Sequence, residues 1–398
     1  MPQTADVIII GGGVTGLSTA LHLCDFGVKK ILILERHFIG AGQSGRAAGV
    51  IRGTVRHPTV SATQLEGQAF FRSFAERFGV PLAINPTGYL LIGRQHEREH
   101  VEETVKTAKR AGCDTRRIDG AAAVELQPGL NVESDCIHVY ESGALHVDPM
   151  TATHALKLVL ANQGVTVIEG CEVVDLMVEQ GAVSGVRTSQ DFFAAPRVLV
   201  ATSVWGRPQL ASLGIDVPVH PHVAEMCFFQ TPLGDRRRLH RIMFDSRAKL
   251  YMRPEGERQM FVGRKESDFV TQSGTAIDPD NYRQTATWPA VRQMHRNLAV
   301  TLPFMADGFV HRTYACAYDM TPDQMPILDQ AESAAGLFFA MGFSGGGFSM
   351  SPWVGKRLAT WIAEGTRPPD IKLFELDRFR RGDLIQWSNT PDEDNQGS

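Results

Sequence analysis

Residues 7–35, VIIIGGGVTGLSTALHLCDFGVKKILILE, decide the fold. Val7 to Ile10 is an unbroken β-branched run, the pattern of a strand buried on both faces. Leu17, Ala20, Leu21 and Cys24 then recur at helical spacing until Gly27 ends the turn, and ILILE at 31–35 reads as a second buried strand. Strand, turn, helix and strand within roughly 30 residues is the unit of a parallel sheet covered by helices. The apolar stretch from Val7 to Cys24 reaches the length of a short membrane span. Gly11, Gly12, Gly13, Gly16, Ser18 and His22 interrupt it, so it reads as a strand followed by a helix.

Gly11, Gly13 and Gly16 stand at G-x-G-x-x-G spacing between that strand and that helix. The first glycine permits a tight turn, the second a close backbone approach to a pyrophosphate, and the third close packing of helix on strand. The helix start then offers N–H donors and a positive dipole end to the phosphates. Glu35 falls 24 residues beyond Gly11, where a carboxylate accepts from a ribose 2′-hydroxyl and repels a 2′-phosphate. The fingerprint serves FAD and NAD alike. The segment IGAGQSGRAAGVIRG decides for FAD: glycines at 40, 42, 45, 49 and 53 let a backbone run close beside the pyrophosphate and the flavin ring. Arg36, Gly42, Gln43 and Ser44 are assigned to the same cofactor, with Val173 from a strand at 172–178.

Working outward, a helix is expected over about 62–78, a strand at 87–93, a charged amphipathic helix at 95–112 and an irregular stretch at 115–130. ESGALHVDP reads as a loop, 150–163 as a helix, and 165–169, 172–178, 182–187 and 197–202 as strands. Alternating strands such as AEMCFFQ, KLYMR and QMFVG fill 217–312, with a helix near 289–301. GLFFAMGFSGGGFSMSPWVGKRLATWIAEG gives strand, Gly-rich loop and helix, with Ser351 and Pro352 placed as cap and first helical residue. The expected fold class is α/β: an FAD-binding Rossmann-like domain from 1–82, 144–216 and 312–387, with a β-rich cap domain from 83–143 and 217–311. The hydrophobe-free tail 388–398 is expected to be disordered.

The 398 residues, 43% hydrophobic and 21% charged, suit a folded chain of two or three domains. Forty basic against 44 acidic side chains give a net charge of −4, which offers no global field for a nucleic-acid backbone. Small molecules are the expected partners. Six cysteines, at 24, 113, 136, 171, 227 and 316, lack C-x-x-C spacing, and no secretory leader is recognisable, so a reducing, cytoplasmic location is expected. His220 and His222 in HPH have no third ligand nearby, so no metal is expected; DRRRLHR at 235–241 reads as a solvated loop.

Taken in order, GGGVTG, the acidic end of strand two, GAGQSGRAAGVIR, ESGALHVDP, CAYDMTPDQMPILD and GFSGGGFSMSPWVG resemble the D-amino-acid oxidase superfamily of flavoproteins, in particular its sarcosine oxidase branch. The resemblance covers nearly the whole chain except the tail. It implies FAD and oxidation of the C–N bond of a secondary amine or N-alkyl amino acid to an imine, by hydride transfer to flavin N5. Arg52 matches an arginine that clamps the substrate carboxylate, and Tyr251 and Tyr318 match two tyrosines near the substrate. Gly345, Gly346, Gly347 and Phe348, with the helix that follows, would direct N–H groups toward the flavin edge that becomes negative on reduction. Cys316 occupies the place of a cysteine that forms a thioether to the flavin 8α-methyl; the alternative is a small buried thiol.

Two departures stand out. A lysine that assists reaction with oxygen aligns with Phe261, and a second carboxylate-binding lysine aligns with Ser349, which with Gly346 is expected to leave a roomier pocket. Loss of the first puts fast oxidase chemistry in doubt unless Arg264 or Lys265 substitutes. Ser203 stands where ATSVWG would ordinarily have glycine. Three readings follow: an oxidase or dehydrogenase acting alone, an FAD subunit of a multisubunit dehydrogenase that passes electrons to a partner chain, and a nicotinamide-binding or non-catalytic regulatory protein.

Overall fold

The computed structural model describes residues 3–264 and 277–386; the tail from Ser388 and Lys265 lie outside the described residues. The central sheet has six strands, ordered Thr166–Ile168, Ile31–Leu34, Val7–Ile10, Val198–Val200, Leu337–Met341 and Ile327–Gln330. The first five pair in parallel and Ile327–Gln330 closes the edge antiparallel. Every residue of Val7–Ile10 and Ile31–Leu34 is buried, as the continuous apolar runs require when both sheet faces are covered.

Helices Val14–Asp25, Pro58–Phe78, Pro149–Asn162 and Gly347–Glu364 pack on one face. Val14–Asp25 and Gly347–Glu364 approach so closely that a Cβ on Gly355 would meet Ser18 Oγ at 2.5 Å. The other face is covered by a small four-stranded sheet that includes Val173–Glu179 and Ala182–Thr188.

An eight-stranded sheet stands against this α/β body, in the order Phe309–Met320, His220–Gln230, Gln259–Arg264, Leu250–Glu255, Ile242–Asp245, Tyr89–Arg94, Cys136–Glu141 and Thr115–Ile118. Its strands are antiparallel except where Ile242–Asp245 meets Tyr89–Arg94. Side chains alternate between its faces. One set, including Leu250, Met252, Met260 and Val262, packs under helix Trp288–Thr301. The opposite set, Phe228, Tyr251, Phe261, Tyr314, Cys316 and Tyr318, gathers with Ala48 of the Gly-rich segment. The strand Phe309–Met320 is continuous through residue 312 and carries the last three of these toward the dinucleotide-type unit.

Several local expectations are corrected. Residues 115–130 hold the strand Thr115–Ile118 and the helix Gly120–Leu126, capped by Asp119. The segment ESGALHVDP contains a strand, Leu145–Val147, paired with Val50–Ile51 and Ile84–Asn85. The last long helix starts at Gly347, not at Pro352. Proline is tolerated inside it because Ser351 Oγ donates at 2.8 Å to Phe348 O, the carbonyl that lacks an N–H from Pro352.

Candidate active site

The two Gly-rich segments and the C-terminal ends of the parallel strands enclose a cleft of about 570 Å3. This is where ligands bind open α/β sheets. Gly11, at φ +106°, has room for no side chain, since a Cβ would meet Ala201 O at 2.5 Å. Gly16 lets helix meet strand: a Cβ there would sit 2.3 Å from Gly11 O. A Cβ on Gly13 would meet Ser44 Oγ at 2.9 Å, and that same hydroxyl accepts the Val14 N–H at 3.0 Å. The turn is thus built for close backbone approach and braced from the second Gly-rich segment.

Glu35 follows the second strand, its carboxylate accepting Gly12 N–H and His37 N–H at 2.8 Å each. It lines the cleft with Arg36, Gly42, Gln43, Ser44 and Val173. Arg36 Nη2 donates to Asp280 Oδ1 at 2.5 Å, Trp205 Nε1 donates to the same oxygen at 2.8 Å, and the Arg36 guanidinium lies 5.1 Å from the Trp205 ring. This knot ties the segment around 279–284 over the cleft. Gln43 Nε2 reaches Ala317 O at 2.6 Å and fastens the Gly-rich segment to the long strand of the cap sheet.

At the far end the cleft meets Tyr318, Gly345, Gly347 and Phe348. Gly342, Ser344 and Gly345 all have positive φ, so the loop turns sharply before Gly346 caps the 18-residue helix Gly347–Glu364. Gly345 is further constrained by the Tyr318 ring, 3.0 Å from where its Cβ would be. The helix N-terminus therefore faces the cleft with donors and a positive dipole end.

Behind Tyr318 lies the aromatic face of the cap sheet. Tyr251 stands opposite Gly263 in register and lies across it, where a Cβ on Gly263 would come 2.3 Å from the Tyr251 hydroxyl. Tyr251 and Tyr318 interact through their hydroxyls, and burial raises the Tyr318 phenol well above its ordinary pKa, with the neighbouring Tyr251 adding to the rise. Tyr314 OH donates to Arg46 O at 2.9 Å. Cys316 is 1% exposed, and its thiol is pushed up to about 12, chiefly by burial, against the pull of Arg46.

Arg52 lies outside the cleft proper, half-buried in the segment between Ile51 and Gly53. Its guanidinium lies 4.8 Å from the Tyr89 ring and donates to Thr54 O. No carboxylate among the described residues is within ion-pair distance of it. Ser349 uses its hydroxyl inside the protein, accepting from Gln64 Nε2 at 2.8 Å and donating to Gly346 O at 3.1 Å. The roomier pocket expected there is instead a contact between two helices. Phe261 is 1% exposed, and Arg264 does not take over its place: it lies on the other sheet face, bound to Gln293 and Glu225. The cation beside Phe261 is Arg253, 5.1 Å from the ring, with Nε donating to Ala48 O at 2.6 Å.

Sequence reasoning missed Asp319, Trp205, Asp280 and Tyr282 among the cleft-lining residues. Asp319 follows a singled-out tyrosine in CAYDM. Trp205 lies in the ATSVWG segment, where only Ser203 was singled out; Asp280 and Tyr282 carry no local pattern and are brought in by tertiary folding.

The family model for FAD dependent oxidoreductases matches residues 6–361, and the chain belongs to that family. FAD is the cofactor of this family, and the glycine cradle and the placement of Glu35 suit a dinucleotide. The chain is 26% identical over 389 residues to 4-methylaminobutanoate oxidase (formaldehyde-forming) from Paenarthrobacter nicotinovorans, covering 95% of this chain and 46% of that protein. It is 24% identical to sarcosine oxidase subunit beta from Rhodobacter capsulatus, covering 96% of this chain and 90% of that one. Its fold is like that of L-proline dehydrogenase from P. horikoshii, with a TM-score of 0.87 at 24% identity over 97% of this chain and all of that one. Glycine oxidase from Geobacillus kaustophilus gives 0.81 at 21% identity, over 94% and 99%. No described helix is long and apolar enough to cross a membrane.

Proposed function

We propose that this chain oxidises the C–N bond of a secondary amine or N-alkyl amino acid to an imine, which water then hydrolyses. The observation that carries the reading is the meeting of the cleft with the aromatic face of the cap sheet at Tyr318, which lines the one and belongs to the other. The names of the relatives given above, a 4-methylaminobutanoate oxidase, a sarcosine oxidase subunit, an L-proline dehydrogenase and a glycine oxidase, point the same way.

FAD held in this cleft would supply the two-electron acceptor for that oxidation. The chain's own residues do the rest. Arg52 is proposed to hold a substrate carboxylate with its guanidinium fork, a geometry suited to two parallel N–H donors. Tyr251 and Tyr318 supply hydroxyls on the substrate side, and the packed rings of Phe228, Phe261 and Tyr314 exclude water from it. The start of helix Gly347–Glu364 supplies positive potential at the end of the cleft next to Tyr318. The division into an FAD-binding domain from 1–82, 144–216 and 312–387 and a cap from 83–143 and 217–311 belongs to the same proposal, as does a cytoplasmic location. A thioether between Cys316 and the flavin 8α-carbon belongs to the same proposal: the ionised thiol would form the S–C bond as an 8α C–H proton is lost, and the oxidised flavin itself would take up the two electrons.

The second reading is an FAD subunit that hands electrons to a partner chain. It is favoured by Phe261 at the lysine position and by relatives named as a subunit beta. Anaerobic mixing with a panel of N-methylated amines and amino acids tests both readings. Bleaching of the flavin supports C–N oxidation, slow recovery with oxygen but fast recovery with an artificial dye favours the second reading, and bleaching only by a nicotinamide contradicts both.

A further inference from the structure

We propose that Asp319 and Ser203 bind the ribityl hydroxyls of FAD; the inference rests on the dinucleotide reading of the cleft. Asp319 is 0% exposed and lines the cleft, as does Ser203. One carboxylate oxygen, Oδ2, accepts Gly342 N–H at 2.8 Å. The carboxylate also interacts with the Ser203 hydroxyl beside it, and neither Oδ1 nor that hydroxyl makes a well-formed hydrogen bond to any other described group. Burial raises the carboxyl to about 6, against the Gly342 and Phe343 N–H groups and the Ser203 hydroxyl, so in neutral water it is an acceptor left short of donors.

Such a pair calls for a ligand that brings O–H groups. A phosphate oxygen would be repelled by the carboxylate, and no metal-holding cluster exists among the described residues. Position selects which hydroxyls. Along the sheet edge Glu35 follows the strand Ile31–Leu34 and Ser203 follows Val198–Val200, two strands further on, while Asp319 is bonded to Gly342 at the end of the next strand, Leu337–Met341, beside the loop that opens helix Gly347–Glu364. Asp319 alternates with Tyr318 along one strand, so its carboxylate lies on the opposite side of that strand from the Tyr318 hydroxyl while both residues line the cleft. Ser203 holds a φ of +54°, a left-handed backbone in which a side chain other than glycine is strained, and its hydroxyl is what the strain delivers to the cleft.

FAD and analogues lacking single ribityl hydroxyls are titrated into apoprotein, with ADP as a ligand that has no ribityl chain. All variants carry Cys316→Ala so that covalent attachment cannot mask exchange. Asp319→Leu is expected to weaken FAD roughly 10- to 100-fold, the loss for a hydrogen bond to a charged group, and to leave ADP unchanged. Ser203→Ala, which leaves the Gly342 loop untouched, is expected to weaken FAD several-fold. The parent should discriminate against at least one deoxyribityl analogue, and Asp319→Leu should not. Equal loss of FAD and ADP, or unchanged discrimination in both variants, overturns the proposal. A parent that binds ADP but no FAD overturns the flavin reading on which it stands.

Discussion

The carboxylate of Glu141 grips the backbone beside Arg52: Oε1 accepts Gly53 N–H at 2.7 Å and Oε2 accepts Thr54 N–H at 2.8 Å. Gln68 Nε2 adds a third donor at 2.8 Å, and Glu141 is 0% exposed. The last residue of a cap strand thereby holds in place the segment that carries the proposed substrate clamp. Glu141→Leu would leave three buried donors unpaired and should cost about 3–5 kcal/mol, read as a shift in the denaturation midpoint of the holoprotein. A midpoint unchanged within 1 kcal/mol, on the order of the error of such measurements, would show that water replaces the carboxylate.

Arg52→Gln should raise KM for carboxylate-bearing substrates by roughly 10- to 100-fold, since it removes a charged fork. Turnover of an amine without a carboxylate should be much less affected. Equal losses for both substrate types would assign Arg52 to structure, through its stacking on Tyr89 and its bond to Thr54 O.

Gly11→Ala and Gly16→Ala should each abolish FAD retention. In one case the φ of +106° and the carbonyl of Ala201 forbid the side chain; in the other the carbonyl of Gly11 does. Flavin-to-protein absorbance ratios after purification report this, and a yellow Gly11→Ala protein would refute the assigned role of the turn.

If Cys316 attaches to the flavin, attachment should accelerate as pH rises, because the thiolate is the nucleophile and the thiol titrates only near 12. The rate should climb about tenfold per pH unit through the neutral and mildly alkaline range. Acid precipitation separates bound from free colour at each pH. A rate independent of pH over that range would exclude simple attack by a solvent-equilibrated thiolate.

His146 is buried, and its imidazole is lowered to about 3, first by burial and then by Arg253. The folded state keeps it neutral while the unfolded chain takes up a proton below about 6.5. Stability should fall as pH drops from 6.5 toward 3, with this one group contributing up to about 1.4 kcal/mol per pH unit. The Asp319 carboxyl, raised to about 6, works in the opposite sense, its contribution present below its unfolded pKa and lost as pH rises through 6. The comparison with His146→Gln isolates the histidine: the variant should lose less stability on acidification, and parallel curves would contradict the assignment.

The first strand–turn–helix unit was legible because burial on both faces writes itself into the sequence as unbroken apolar runs, and the glycines do so because no other residue fits. The cap was less legible. Thr115–Ile118 and Leu145–Val147 are short strands whose existence depends on neighbours far along the chain, Val139 and Val50 among them. The helix start was misplaced because Ser351 and Pro352 imitate a cap, and only the Ser351 bond to Phe348 O explains a proline within the helix. Likewise Asp323 in TPDQMP turns out to be buried against Arg378, an ion pair at 2.8 Å between residues 55 apart.

The most direct test of C–N oxidation is anaerobic reduction of the bound flavin by an N-methylated amino acid, followed by its absorbance and by product analysis. The account predicts that the flavin bleaches and that formaldehyde and the demethylated amine appear in equal amounts, one of each per flavin reduced. A flavin that no amine or amino acid bleaches, but that a reduced nicotinamide does, would contradict it.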